Sequence, residues 1–334
     1  MRPGTYSQFT ITRGIQILGE PGVRVAGFHA PSIAILGVPS GERVVLSGLN
    51  VTNLNTYSIW VTGCRGLVHL EGSLIEGLIG TYDSTLSLTD NRIAVDMAIA
   101  PGSALDVVGG EAIATRCTFI PLGFSGLEVP GIRIRSNGGV VLGECTVHGA
   151  PAPIVPGPTA SAAIVVDWGR LTLAGTTAST VAAGPLTVTG SIGAPAIRVS
   201  GIASNLVIVA PSANLVPSGG MPAVLGAWRS IPLASLGASF TGRVLTATVQ
   251  APHASYAMIV AGPYDRPAPW LLPIDLWVGV QNIALGAGPI DPSGAYSVSH
   301  PIPALPLGTL AALQAFILDP TGVTLSTPML LRVD

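Results

Sequence analysis

The stretch Ala104-Leu105-Asp106-Val107-Val108-Gly109, followed by Ala112-Ile113-Ala114-Thr115-Arg116-Cys117, contains the pattern that decides the fold. It is a short alternation of apolar and other residues, a glycine turn, and a second alternation that ends in a small residue. The phrase recurs about six times in the first 210 residues, with starts about 23 to 33 residues apart. Alternation with a period of two is typical of strands, and repetition at this spacing is typical of a solenoid.

Alignment of the copies places like residues in columns. One column contains Leu105, Ile132, Ile164 and Ile197, and the next contains Val107, Ile134, Val166 and Val199. If successive copies stack in parallel, these columns form aliphatic ladders with a spacing of about 4.8 Å. The residues between them then face outward, which predicts a coil with an apolar interior.

The outward positions of the first strand contain the most concentrated charged residues. One column contains Asp106, Arg133 and Arg198, interrupted by Val165, and the next contains Arg135 and Asp167. We therefore expect Asp106 beside Arg133, and Arg135 beside Asp167. Such pairs are either part of a functional site or surface ion pairs worth about 0–1 kcal/mol each, and the small number of carboxylates favours the second interpretation.

Composition limits the classes of function. Only 10% of the 334 residues are charged, whereas an ordinary soluble domain has about 25%. With 15 basic and 17 acidic residues there is no basic stripe, which argues against a nucleic-acid partner. No run of 18 apolar residues is free of glycine, proline or charge, so no transmembrane segment is expected. A charge-poor surface favours burial against other copies of the chain.

Residues 2–20 contain a Pro-Gly-Thr-Tyr turn and then Ile15-Gln16-Ile17-Leu18-Gly19. This opening resembles the first rung of the pectin-lyase-like right-handed parallel β-helix superfamily, and with the repeats the resemblance covers about residues 2–212. The superfamily includes lyases, hydrolases, esterases, adhesins and structural proteins, so the resemblance implies a fold and not one activity. Its members usually have an amphipathic helix that caps the coil. This sequence lacks that helix, and we expect the N-terminal edge to be exposed or paired with something else.

The second half of the chain has a different pattern. We predict an all-β fold with a right-handed parallel β-helix over residues 1–212, a linker over 213–229 and a small antiparallel β-sandwich over 230–334. Six strands are predicted in the sandwich: 243–250, 256–261, 276–280, 296–300, 312–318 and 329–333. The ending resembles C-terminal modules of secreted bacterial proteins, which favours an extracellular or cell-surface location.

The resemblance to β-helix lyases implies one catalytic hypothesis, in which Asp106, Arg133, Arg135 and Asp167 form a polysaccharide site. Calcium is expected only under that hypothesis, and no other cofactor or metal site is predicted. Glycoside hydrolysis needs two carboxylates, and the turn residues Asp83, Asp90 and Asp96 are weaker candidates for one of them. Asp90 aligns with turn glycines, which favours ordinary turn chemistry.

Aromatic and sulfur-containing residues give two further hypotheses. Tyr264, Trp270 and Trp277 either form a sugar-binding platform or fill the core of the sandwich. Cys117 and Cys145 share a register, which suits two small buried thiols and also permits a disulfide.

Three classes of function remain. We expect a secreted structural protein without catalytic activity that self-associates into a homo-oligomer or fibre. The alternatives are a polysaccharide lyase or glycoside hydrolase, and a non-catalytic carbohydrate-binding or adhesive module.

Overall fold

The computed structural model describes most of the chain as strands and turns. The described residues are 1–96, 102–122, 128–152, 160–174, 179–186, 191–200, 205–241, 243–271, 274–278, 281–303, 309–320 and 322–332. Within these ranges, the side chains of 54–55, 122, 264–271, 274–275 and 277 are not described. Among the described residues, no helix is long and apolar enough to cross a membrane.

The first part of the chain is a coil of short parallel strands. They are β1 Gly4–Ser7, β2 Phe9–Ile11, β3 Ile15–Leu18, β4 Val23–Gly27, β5 Ile33–Leu36, β6 Arg43–Ser47, β7 Asn50–Thr62, β8 Leu67–Glu71, β9 Leu74–Tyr82, β10 Thr85–Thr89, β11 Arg92–Asp96, β12 Leu105–Val108, β13 Glu111–Thr115, β14 Thr118–Leu122, β15 Ile132–Gly143, β16 Thr146–His148, β17 Ile164–Ala174, β18 Thr180–Ala182, β19 Ile197–Val199, β20 Leu206–Val209, β21 Asn214–Val216, β22 Val224–Leu225 and β23 Arg229–Ser230. All pairings among them are parallel, and each turn of the coil pairs with the next.

The pairings sort these strands into three stacks, and a long strand bends at a corner and contributes to two. Stack 1 comprises β1, β4, the start of β7, the start of β9, β11, β14, β16, β18 and β21. Stack 2 comprises β2, β5, the end of β7, the end of β9, β12, the start of β15, the start of β17, β19 and β22. Stack 3 comprises β3, β6, β8, β10, β13, the end of β15, the end of β17, β20 and β23.

The interior of the coil contains the predicted aliphatic ladders. Leu105 pairs with Ile132, Ile132 with Ile164, and Ile164 with Ile197, and each is fully buried. The neighbouring valine and isoleucine column follows the same register. The predicted all-β architecture, a parallel β-helix followed by antiparallel sheets, is confirmed.

The corner between stack 3 and stack 1 repeats one backbone conformation. Gly48, Gly72, Asp90, Arg116 and Glu144 occupy successive copies of this corner, all with φ between 52° and 66°. Two of these side chains form an ion pair. The Arg116 guanidinium donates hydrogen bonds to both carboxylate oxygens of Asp90, at 2.7 and 2.6 Å. Asp90 is thus a turn residue, as its alignment with glycines predicts. The next corner residue along the chain is buried, and at two copies it is a free cysteine, Cys117 and Cys145.

Parallel pairing continues through the range 213–229, which the sequence predicts as a linker. Here β21 pairs with β18, β22 with β19, and β23 with β20. These last strands are only two or three residues long because proline and glycine residues separate them, and this composition hides their pairing from sequence analysis. The domain boundaries themselves stay a prediction.

Two facing antiparallel sheets and one separate strand pair follow the coil. The strands are β24 Ser235–Thr241, β25 Val244–Gln250, β26 Tyr256–Gly262, β27 Tyr264–Leu271, β28 Ile274–Val278, β29 Ile283–Pro289, β30 Ala295–Pro301, β31 Leu310–Asp319, β32 Gly322–Leu325 and β33 Met329–Arg332. One sheet has the order β24-β25-β30, and the other has β29-β26-β31-β32 with β33 also on β31. Residues from both sheets, including Leu236, Val249, Ile259 and Leu313, form one buried core. β27 and β28 form a separate pair.

The sandwich lies along the outward side of stack 3. Two apolar clusters join the two parts of the chain. One contains Val45, Leu67, Ile113, Leu310 and Leu330, and the other contains Ala174, Ile208, Ala210, Leu233 and Leu325. From β6 to β20, stack 3 is therefore covered on both faces, whereas stack 2 keeps its outward side free for the charged residues.

Candidate functional site

The charged residues predicted on stack 2 lie together on its outward side. The strand register places Asp106 opposite Arg133, and Arg135 opposite Asp167, as expected. The ion pairs cross between these columns, however. Arg135 binds Asp106, with 3.2 Å between Nε and Oδ1, and Arg133 Nε lies 3.9 Å from Asp167 Oδ2. An arginine side chain is long enough to reach the diagonal neighbour, which a strand register alone does not predict.

A third ion pair extends this row. Arg198 binds Glu128, which lies between strands and belongs to no repeat copy, so no sequence signal identified it. We call Asp106, Glu128, Arg133, Arg135, Asp167 and Arg198 the charged strip. Its carboxylates and guanidinium groups are equal in number, and each carboxylate faces an arginine. The hydrogen bond to Asp106 raises the pKa of Arg135.

Three aromatic rings continue the outward side of stack 2 beyond Asp106. We call Tyr57, Trp60 and Tyr82 the aromatic trio. The Trp60 and Tyr82 rings stack with centroids 4.3 Å apart, and Tyr57 meets Trp60 edge to face at 4.4 Å. The Tyr57 and Tyr82 hydroxyls are 3.1 Å apart. A Cβ at Gly80 would lie 2.6 Å from the Tyr57 ring, so the glycine makes room for the trio.

The aromatic trio and the charged strip form one continuous surface. The pKa of Tyr57 is raised well above its usual value, first by burial and then by Tyr82, with a further contribution from the Asp106 charge. Sequence analysis missed the trio, although Trp60 at an outward strand position opposite a glycine is a usable signal. Asp106 itself is only 8% exposed, so its carboxylate is inaccessible to a large substrate.

Trp168 lies at one end of the same surface and has an unusual backbone. It directly follows Asp167, its φ is +69°, and 52% of its surface is exposed. Gly63, Asp83 and Gly109 have the same left-handed conformation at equivalent corners. A bulky aromatic residue is uncommon in this region, and retained backbone strain is a reason to look for function.

The other predicted site residues are placed as follows. Asp83 and Asp96 are exposed, at a corner and at the end of β11 respectively. Tyr264 and Trp270 lie on β27 and Trp277 on β28, but their side chains are outside the part of the chain that the structure describes. Among the described residues, no group of three histidine, cysteine, aspartate or glutamate side chains is placed to hold a metal ion.

A buried polar cluster lies between stack 3 and the sandwich. Glu71 and Arg332 form an ion pair there, with 3.1 Å between Oε2 and Nε. His69 is fully buried beside them, and its Nδ1 lies 3.1 Å from Ser87 Oγ. Its Nε2 has no hydrogen-bond partner among the described residues. Burial, together with the charge of Arg332, lowers the pKa of His69 to about 4.

Comparison with known proteins does not assign this site. No protein family model matches the chain. A search of curated proteins finds no match either.

Proposed function

We propose that this protein is a secreted or cell-surface structural protein without catalytic activity, whose copies associate end to end. The observation that supports this function is the state of the two ends of the coil. At one end β1, β2 and β3 each pair with one strand only, and at the other end the same holds for β21, β22 and β23, within the described residues. An unpaired strand edge is a template for pairing with another chain.

A second copy of the chain has the complementary edge. β1 and β21 belong to stack 1, β2 and β22 to stack 2, and β3 and β23 to stack 3, so strand direction and cross-section agree at the two ends. Apolar side chains are exposed beside both edges. They are Ile15 and Leu18 at one end, and Val216, Leu225 and Trp228 at the other. Contact between two different surfaces of the same molecule is heterologous, and it extends into open chains unless the rotation between copies closes a ring.

Three further properties belong to this proposal. An extracellular location and a bacterial source are supported by the resemblance of the C-terminal region to modules of secreted bacterial proteins. Membership of the pectin-lyase-like superfamily is supported by the opening residues 2–20 and by the parallel coil. A catalytic role has less support, because every carboxylate of the charged strip faces an arginine and general acid–base catalysis needs a group that reaches the substrate.

Light scattering after size exclusion, over a range of concentrations, tests end-to-end association. The expected mass exceeds the 33.8 kDa of one chain and rises with concentration. Phe9 N–H donates to Ser32 O, so the next N–H along the strand, that of Thr10, points to the open edge. Thr10→Pro removes this donor without breaking an existing bond and is expected to give a monomer.

Thr10→Val is the matched control because it keeps the N–H group and is expected to assemble like the unmodified chain. Circular dichroism establishes that both variants keep their strands. A monomer at every concentration, or an assembled Thr10→Pro variant, would refute the proposal.

A second candidate function is non-catalytic binding of a polysaccharide along stack 2, and the strained, exposed Trp168 favours it. An indole face stacks on sugar rings, and the neighbouring arginines suit acidic sugars. Retardation in a gel containing polygalacturonate is expected for the unmodified chain and lost in Trp168→Ala. Phe28→Ala removes an exposed aromatic side chain between β4 and β5 that belongs neither to the charged strip nor to the apolar groups at the ends of the coil, and it is expected to leave binding unchanged. Retardation that survives Trp168→Ala excludes this site.

The lyase alternative is tested in the same samples. Ultraviolet absorbance of unsaturated products, measured with and without Ca²⁺, is expected to stay at background. Product formation that Asp106→Ala abolishes would establish an enzyme and overturn the non-catalytic assignment.

A further inference from the structure

The end of the sandwich nearest β6 contains an apolar cavity of about 360 Å³. It opens between the two sheets. Phe240 and Leu245 line it from one sheet, and Ile283, Leu285 and Leu310 line it from the other. Its volume lies near the lower end of the 300–1,000 Å³ range that is typical of small-molecule sites, so it suits a small ligand better than a folded partner.

The rim of the cavity is polar and carries positive charge. Arg43, on β6 of the coil, contributes a guanidinium, and His300 and Gln281 lie on the sandwich side. No carboxylate is among the described residues that line the cavity. Arg43 is exposed, and its side chain has neither an ion-pair nor a hydrogen-bond partner among the described residues. Its charge is therefore available to a ligand.

One wall of the cavity has apolar surface that the protein itself leaves uncovered. Ile283 is 59% exposed, which is a large fraction for an isoleucine side chain. Covering such a side chain with hydrocarbon removes apolar surface from water, which favours binding.

We propose that this cavity binds a linear aliphatic carboxylate, with its hydrocarbon chain between the two sheets and its carboxylate at Arg43. The apolar walls select the hydrocarbon chain of the ligand, and the Arg43 guanidinium at the rim selects its anionic head. This inference is independent of the end-to-end association proposed above, because the cavity lies in the sandwich and not at either end of the coil.

Titration calorimetry with dodecanoate, below its micelle concentration, tests the proposal on the full chain. One molecule is expected to bind per chain. Dodecan-1-ol has the same hydrocarbon chain without the charge, and it is expected to bind about tenfold more weakly because a charge-assisted hydrogen bond is lost. Arg43→Gln is expected to weaken dodecanoate binding by a similar factor and to leave dodecanol binding unchanged.

Two further variants complete the experiment. Arg92→Gln removes an exposed arginine of stack 1 that does not line the cavity, and it is expected to bind dodecanoate normally. Ile283→Glu places a carboxylate in the apolar wall at an exposed position, so the fold is retained and binding is lost. The proposal is overturned if dodecanoate does not bind, if Arg43→Gln binds as tightly as the unmodified chain, or if Ile283→Glu still binds. Attachment to phospholipid vesicles without dodecanoate binding would also overturn it.

Discussion

Lowering the pH is expected to weaken the fold through His69, the buried histidine between stack 3 and the sandwich. Its pKa falls from an ordinary value of 6.5 to about 4 in the folded protein. The imidazole is therefore neutral when folded and binds a proton on unfolding below pH 6.5. Above pH 6.5 the imidazole is neutral in both the folded and the unfolded chain, and its effect on the free energy of unfolding does not change with pH. Between pH 6.5 and pH 4 only the unfolded chain binds the proton, so the free energy of unfolding falls by about 1.4 kcal/mol per pH unit.

The difference between a pKa of 6.5 in the unfolded chain and about 4 in the folded protein corresponds to about 3 kcal/mol of unfolding free energy. Burial of the imidazole is the largest cause of the lowered pKa of His69, and two further features add to it. Arg332 places a positive charge close to the ring, and the Nε2 atom has no acceptor among the described residues that would stabilise a second N–H. The Glu71 carboxylate is paired with Arg332.

Urea unfolding at pH 7.5 and pH 5 measures this effect. The unmodified chain is expected to lose about 2 kcal/mol more than His69→Gln between the two pH values. His29→Gln, which removes an exposed histidine, is expected to behave like the unmodified chain. Carboxylates titrate in both the unmodified chain and His69→Gln, so their contribution to the pH dependence cancels when the two proteins are compared. Equal losses in the unmodified chain and His69→Gln would show that the buried imidazole does not control acid stability.

Five other substitutions test the packing, the turns and the ion pairs of the coil. Phe119→Ala empties a fully buried site of the coil and is expected to cost about 3–5 kcal/mol in urea unfolding, whereas Phe28→Ala, at a 59% exposed site, is expected to change stability by less than about 0.5 kcal/mol. Gly66→Ala is expected to lower the melting temperature because its Cβ would overlap neighbouring carbonyl oxygens, while Gly72→Asn, in a left-handed corner with open space, is expected to be tolerated. Arg116→Ala breaks a partly exposed ion pair and is expected to cost no more than about 1 kcal/mol, measured by thermal unfolding.

The coil was predictable because its repeat determines both register and burial. Once Leu105 and Ile132 are aligned, the period of two determines whether each remaining residue of the two strands faces inward or outward. The observed register follows this alignment. The crossed ion pairs were not predictable in the same way. They depend on arginine side-chain length and on the choice between a direct and a diagonal partner, and a strand register specifies neither.

The burial of stack 3 on both faces was missed, although the sequence contains a signal for it. Alternation predicts that Val45, Leu67 and Ile113 face outward, and it leaves their apolar character unexplained. Near-continuous apolar runs are typical of strands that are covered on both sides. The identity of the covering element, and the placement of His69 beneath it, depend on a contact between distant parts of the chain that no local pattern encodes.

The contact between stack 3 and the sandwich also limits how this protein can change in length. From Val45 to Ile208 the covered strands are β6, β8, β10, β13, β15, β17 and β20, and they extend over about 29 Å at about 4.8 Å per step. Duplication or deletion of a repeat within this stretch would move the coil residues of one apolar cluster away from its sandwich residues by one strand spacing. Repeats outside the stretch have no such constraint. The sandwich therefore fixes the number of turns that it covers. In related proteins we expect gains and losses of repeats near the two ends of the coil.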